Sequence, residues 1–278
     1  MNARIWKASD VKKSIVIPSD LDNKYSRGVL GVITGSARFP GAAVLSVASA
    51  SATGLGMIRF HSNSGLAHLV LHSNPEVVVQ PGAVNAWLAG SGIESNRFSD
   101  FTTWLRHRWF SLIAKQSVPT ILDAGALHLA GKFNQPTLIT PHAGELSRLL
   151  RSRGLDVSSE AIEGDPKKWA ITASQQLGVV VLLKGSRTVI ADGQSLIELK
   201  SATSWLATAG TGDVLAGIIG ALTATNYIEI LNDRKKLGEI AASAAYIHNS
   251  AALLASRDAP ISATKIIDFI PEAIRKVL

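Results

Sequence analysis

Short apolar runs rich in β-branched residues recur along most of the chain, and each stops at a turn. The run 29–34 (VLGVIT) gives way to GSARFPGAA and then to a small-residue stretch, 42–53, that reads as a helix. Further runs lie at Met57–Phe60, 69–71, 77–79 and 84–89, the last leading into GSGIES. Thr120–Leu122 precedes Asp123, Thr137–Ile139 precedes TPHAGELSRLL, and 179–184 and Thr188–Ala191 flank the turn Lys184, Gly185, Ser186, Arg187. Runs this short, bounded by glycine, proline and aspartate, read as strands. Strands alternating with helices over this length predict an α/β fold: a central, mostly parallel sheet with helices on both faces. Ligands then bind beyond the carboxyl ends of the strands, where the glycine turns fall.

The helix 42–53 is built of Ala and Ser and is expected to lie close against its neighbours, with Ser36, Gly41 and Ala42 at its start. Pro141 and Gly144 open another helix that runs through Leu150, and further helices are expected at 240–255, which carries His248, and at 264–277. No internal repeat and no Pro/Ser-rich linker interrupts the 278 residues. The expectation is a single domain, 1–278, since α/β folds reach ~250 residues as one unit.

A 46% hydrophobic content is enough for a sizeable core, and nothing in the composition argues for disorder. No charge-free apolar run reaches the ~18 residues of a membrane span, and the N-terminal MNARIWKASDVKK lacks a signal's apolar core. With no cysteine there is no disulfide framework either, so a cytoplasmic protein is expected. The net charge of +7 invites a nucleic-acid reading, and WLRHRWF interleaves bases with aromatics. Phe101, Trp104, Leu105, Arg108, Leu112 and Ile113 nevertheless fall at helical intervals, which makes the bases the solvated face of a helix laid on the core. A basic surface suits an anionic small molecule better than nucleic acid.

One stretch, TSWLATAGTGDVLAGIIGALTAT, carries the clearest chemistry. Small residues lead into a helix whose apolar positions are Val214, Leu215, Ile218, Ile219 and Leu222. Its first turn offers unpaired N–H groups and the positive end of the dipole, and Gly210 and Gly212 let an anion approach the backbone. Asp213 is poorly placed as a phosphate ligand, because like charges repel. It is better placed to take a proton from a hydroxyl beside the phosphate. The plain structural alternative is that Asp213 merely complements the dipole of its helix.

Other residues carry two readings each. On local pattern His142 and Glu145 read first as part of a helix cap built on Thr140 and Glu145, ahead of a site. Lys184 ends a buried strand, where a lysine is costly unless it meets a phosphate, a ribose or a carboxylate. Asp123 could cap the next helix or face a ligand. The histidines lack ligand-like spacing, and no P-loop or dinucleotide fingerprint is present, so phosphate binding needs another architecture.

ITGSARFPGAA, the GSG loop, TPHAGELSRLL, LLKGSRT and AGTGDVLAG, in this order from about Gly28 to about Ala255, closely resemble the ADP-dependent (S)-NAD(P)H-hydrate dehydratases of the ribokinase-like superfamily. That resemblance implies repair of hydrated NADH or NADPH at the expense of ADP, through phosphorylation of the C6 hydroxyl and elimination of phosphate. Hydroxide is a poor leaving group; phosphate is a good one. By matched motif, Asp213 is implied as the base, and Ala42, Gly92 and His142 join it in contacting the hydrated cofactor. Lys184, Gly185, Ser186, Arg187 and Thr188, with Gly210, Thr211 and Gly212, are implied to hold the adenine nucleotide. A divalent cation, Mg2+, is expected with phosphoryl transfer, its protein ligands unassigned. A homo-oligomer is also expected, and no membrane partner.

The chain departs from the family pattern twice. Gly-Pro-Gly-x-Gly is Gly90-Ser91-Gly92-Ile93-Glu94 here, and Asp-Ala-Asp-Ala-Leu is Asp123-Ala124-Gly125-Ala126-Leu127. The epimerase domain fused in many bacterial relatives is not seen, which implies a separate epimerase. Two rival readings are a vitamin-precursor kinase on the same fold, which releases its phosphorylated alcohol, and an inactive nucleotide-binding protein.

Overall fold

The computed structural model describes residues 2–99, 101–200 and 202–278. Met1, Asp100 and Ser201, which fall within the expected domain, lie outside the described residues. Nine strands form one sheet among the described residues: β1 (Arg4–Ile5), β2 (Val29–Ile33), β3 (Met57–Phe60), β4 (Ala86–Ala89), β5 (Thr120–Leu122), β6 (Thr137–Ile139), β7 (Val180–Leu183), β8 (Thr188–Ala191) and β9 (Leu196–Leu199). Their order is β1-β9-β8-β7-β6-β5-β4-β2-β3, parallel throughout except at the β7–β8 and β8–β9 pairings. The mostly parallel sheet expected from the sequence is present. From β2 the chain runs outward to β3 and then returns to the other side of β2 as β4, which makes the β2/β4 boundary a topological switch point.

Strands buried on both faces should read as continuous apolar runs, and every residue of β2, β4, β5, β6 and β7 is buried. Two separate apolar cores cover the sheet. One gathers the helices Pro40–Thr53, Thr211–Thr225 and Lys235–Ser256, and the other gathers Ala143–Arg151 and Pro166–Leu177 with the 3-10 segments Phe110–Lys115 and Ala124–Leu129. Small residues set the first layer. A Cβ on Gly217 would lie 2.0 Å from Ser49 Oγ and 2.3 Å from Ser46 O, so the Pro40–Thr53 and Thr211–Thr225 helices touch backbone to backbone.

Several sequence expectations are corrected. The run 69–71 lies inside the helix Ser64–Ser73, because Asn63 caps it by accepting from Leu66 N and only Leu66, Ala67 and Val70 turn inward. The run 77–79 makes an isolated bridge, Arg59 to Val78, rather than a strand. The helix expected at 264–277 breaks at Phe269 into Ala263–Asp268 and Ile270–Arg275, where Pro271 removes a donor in the second helix's first turn. The stretch after residue 100 is helical over Phe101–Trp109, but its buried positions are Thr103 and Arg106, continued by Phe110 and Ile113, while Phe101 is exposed. Arg106 is thus not on a solvated face. Among the described residues no helix is long and apolar enough to cross a membrane.

Candidate active site

The carboxyl ends of four adjacent parallel strands converge on one polar cluster. Ser91 follows β4, Asp123 follows β5, Thr140 and His142 follow β6, and Lys184 follows β7. Asp123 is 4% exposed and stands at the centre. Its Oδ2 accepts from Ser91 Oγ at 2.9 Å, and its Oδ1 accepts from Thr140 Oγ1 at 2.8 Å and Lys184 Nζ at 3.0 Å. Its side chain makes no cap to the 3-10 segment that follows; it is taken up by Ser91, Thr140 and Lys184 instead. Burial raises the Asp123 carboxyl, yet the Lys184 charge and these hydrogen bonds outweigh it and hold the group below its ordinary value. Burial works against the Lys184 ammonium as well, and Asp123, Glu145 at 3.7 Å and Asp213 together raise it.

His142 is itself the cap of Ala143–Arg151. Its Nδ1 accepts from Gly144 N and Glu145 N, and Glu145 Oε2 accepts from His142 N at 2.9 Å. The capping box is therefore displaced two residues from Thr140, whose hydroxyl is committed to Asp123. An accepting Nδ1 puts the neutral ring's proton on Nε2, on the half-exposed edge of the ring. His142 and Lys184 are brought together by a parallel bridge, with Lys184 N donating to Pro141 O at 2.8 Å.

Across from Lys184 begins the helix Thr211–Thr225. Gly210 occupies its N-cap with φ +88°, a left-handed conformation that glycine adopts without strain. A Cβ on Gly212 would lie 3.8 Å from Lys184 Nζ, so the lysine reaches the first helical turn. Asp213 sits in that turn. Burial first, then the negative charge of Asp123, pushes its carboxyl up to about 7, and Lys184 only partly opposes them. A carboxylate with that affinity is a proton acceptor matched to neutral pH.

Lys184, Gly185, Ser186, Thr188, Thr211 and Gly212 line one cavity of about 500 Å3. His248, which the sequence reading left aside, joins that lining; it is buried, and burial pulls its ring down to about 4. A second cavity of about 690 Å3 shares Lys184, Gly185 and Ser186 and adds His142 and Arg187, the latter exposed and 3.5 Å from Glu198. Gly210 lines neither; it supports the turn by close approach to Leu45 and Ala263. Ala42 and Gly92 meet each other at the β2/β4 switch point, where a Cβ on Gly92 would lie 2.3 Å from that of Ala42. Their connection to the lysine runs through Ser91 and Asp123. Among the described residues no three His, Cys, Asp or Glu side chains are placed to hold a metal ion. Sequence reasoning met Ser91 only as part of the GSG loop and Thr140 only as a helix cap, and gave neither a partnership with Asp123; Asp123 was visible as the polar end of an apolar strand.

A family model described as NAD(P)H-hydrate dehydratase matches residues 30–272. Among curated proteins, the bifunctional NAD(P)H-hydrate repair enzyme Nnr of Mycobacterium tuberculosis is 39% identical over 236 residues, covering 79% of this chain and 46% of that one. This chain spans about half the length of such bifunctional relatives. The ADP-dependent (S)-NAD(P)H-hydrate dehydratase of Neisseria meningitidis serogroup B is 30% identical over 271 residues, 91% of this chain and 86% of that one. The fold is shared with the crystal structure of the ADP/ATP-dependent NAD(P)H-hydrate dehydratase from Bacillus subtilis, co-crystallized with ATP/Mg2+, at a TM-score of 0.84, 24% identity and full coverage of both chains.

Proposed function

Because the chain belongs to the NAD(P)H-hydrate dehydratase family, we propose that it returns the S epimer of hydrated NADH or NADPH to the reduced cofactor, with ADP as phosphoryl donor. The observation that carries this reading is the Asp213 carboxyl held near neutrality in the first turn of Thr211–Thr225, beside Lys184. Asp213 takes the C6 hydroxyl proton as that oxygen attacks the terminal phosphorus of ADP. A new P–O bond forms, the bond to the bridging oxygen breaks, and AMP departs. The ring nitrogen lone pair then expels phosphate from C6, and loss of a proton from the adjacent ring carbon restores the reduced nicotinamide.

The chain's own residues supply charge and position. Lys184 and the backbone N–H groups of Thr211 and Gly212 face the transferring phosphoryl group, fixed in advance by the Asp123 network. The adenine nucleotide takes the cavity lined by Gly185, Ser186, Thr188 and Thr211. Arg187 and Gly210 flank it, one from the exposed end of the turn and the other as the helix cap. Ala42, Gly92 and His142 receive the hydrated ring, with the His142 Nε2–H as donor to its carboxamide or ribose. No metal cage forms among the described residues, so Mg2+ is assigned no protein ligand. The single continuous sheet supports reading 1–278 as one domain. A homo-oligomer, and an epimerase acting on the same hydrate from a separate protein, belong to the same proposal.

Incubation with ADP and either the hydrated cofactor or a panel of vitamin-precursor alcohols tests the reading. Recovery of reduced cofactor from the hydrate supports it. A stable phosphorylated alcohol with no recovery makes the chain a kinase instead.

A further inference from the structure

Arg106 is among the largest fully buried side chains, yet it lies outside every motif that carries the proposed site. Its guanidinium donates through Nε to Gly35 O at 2.9 Å, through Nη1 to His61 O at 2.7 Å and through Nη2 to Thr34 O at 2.6 Å. One planar fork thus fixes the chain leaving β2 and the chain leaving β3 to the helix Phe101–Trp109. Its face lies over the Trp109 ring, 4.7 Å from the centroid. Burial lowers the group to about 9, which leaves it charged at neutral pH.

Two of the carbonyls it holds, Thr34 O and Gly35 O, belong to the wall of the switch point. Gly35 N donates to Ser91 O at 2.7 Å, and Ser91 Oγ continues to Asp123. Gly35 Cα lies 3.3 Å from where a Cβ on Gly92 would sit. The next residue, His107, holds the other loop by donating from its ring Nε2 to Glu94 O at 2.8 Å. The loop that leads into the helix carrying Ala42 and the loop that carries Gly92 are therefore both tied to one point on one helix.

We propose that Arg106 is a positioning residue for the hydrated-cofactor half of the site: it sets the Thr34–Ser36 loop against Gly92 and leaves the adenine-nucleotide half untouched. This rests on the function proposed above. Lysine keeps the charge but cannot hold three carbonyls in the plane of a fork, so it should fail where arginine succeeds.

Steady-state kinetics of Arg106→Lys and Arg106→Gln against the wild type test this. Displacing a binding loop by a fraction of an ångström to an ångström is expected to raise KM for the hydrated cofactor by roughly tenfold or more in Arg106→Gln, with KM for ADP within about twofold. Arg106→Lys should fall between. Equal changes in both KM values, or none in either, would overturn the proposal. Amide exchange on the same proteins keeps the two readings apart. If the wild type turns over no hydrate, the functional reading has failed, and Arg106 is judged on exchange alone. Faster exchange in 34–36 and 61–62, with β5, β6 and β7 unchanged, upholds its positioning role, and a uniform rise or no change overturns it.

Discussion

Lys184 Nζ donates to Asp123 Oδ1 at 3.0 Å, joining two strand ends that lie 61 residues apart in the chain. The pair is well shielded, with side-chain exposures of 23% and 5%. Removing one member of a buried pair strands the other, at a cost of about 3 kcal/mol or more. Lys184→Met should therefore lower the unfolding free energy by about that amount and abolish nucleotide binding. Adding Asp123→Asn should recover most of the stability and none of the binding. Denaturant melts and nucleotide titration read both, and a double variant no more stable than Lys184→Met would show that the pair is not coupled.

The Asp213 carboxyl, raised by burial and by Asp123 to about 7, sets a pH dependence. As a base it must be ionised, so kcat/KM should fall as pH drops through about 7. Asp123→Asn removes one cause of the raised value and frees Lys184 toward Asp213, so the inflection should move to lower pH. An inflection that stays in place contradicts the coupling.

The same shift acts on stability. The folded value lies above the unfolded 3.8, so the contribution is present at low pH and lost as pH rises through about 7. Asp213→Asn removes that loss. It should be more stable than the wild type at pH 8 by on the order of 3 kcal/mol, equal to it near pH 4, and inactive throughout.

His142 caps a helix and faces the second cavity, and the two roles separate by substitution. Asparagine caps well, whereas alanine in its place costs about 1 kcal/mol. His142→Asn should keep wild-type stability and His142→Ala should not, while both raise KM for the hydrated cofactor and spare that for ADP. Wild-type kinetics in His142→Asn would reduce the residue to a cap.

At position 125, where the family pattern has aspartate, a Cβ would lie 2.4 Å from Ile93 O and 2.9 Å from Glu94 O. The Ile93–Glu94 backbone occupies the space a side chain at 125 would need. Gly125→Asp should lower both the melting temperature and the activity. An unchanged or improved enzyme would contradict this packing.

The strand ends and their turns were legible because a doubly covered parallel sheet forces apolar runs to stop abruptly, which exposed Asp123, His142 and Lys184 as polar residues at those stops, while Asp213 stood out as the acidic residue of a helix's first turn after a small-residue loop. The shared use of Asp123 by Ser91 and Thr140 was not legible, since only the strand order brings those hydroxyls together. Arg106 was misread for a related reason. An arginine in a helical stripe reads as solvated, and only the main-chain carbonyls at two strand ends explain why it is buried. β9 was missed because Glu198 interrupts a four-residue run, and it pairs with Lys167 and Arg187 rather than turning to open water. β1 is only two residues long.

The central claim is that Asp213 serves a hydroxyl whose phosphorylated form eliminates on the enzyme. Product stoichiometry from ADP and hydrated NADH, followed by the near-ultraviolet absorbance of the reduced ring together with AMP and orthophosphate, tests it most directly. The wild type should release NADH, AMP and orthophosphate in equal amounts and Asp213→Asn none of them while still binding ADP. AMP formed together with a stable phosphorylated hydrate and no NADH, or undiminished turnover by Asp213→Asn, would contradict the claim.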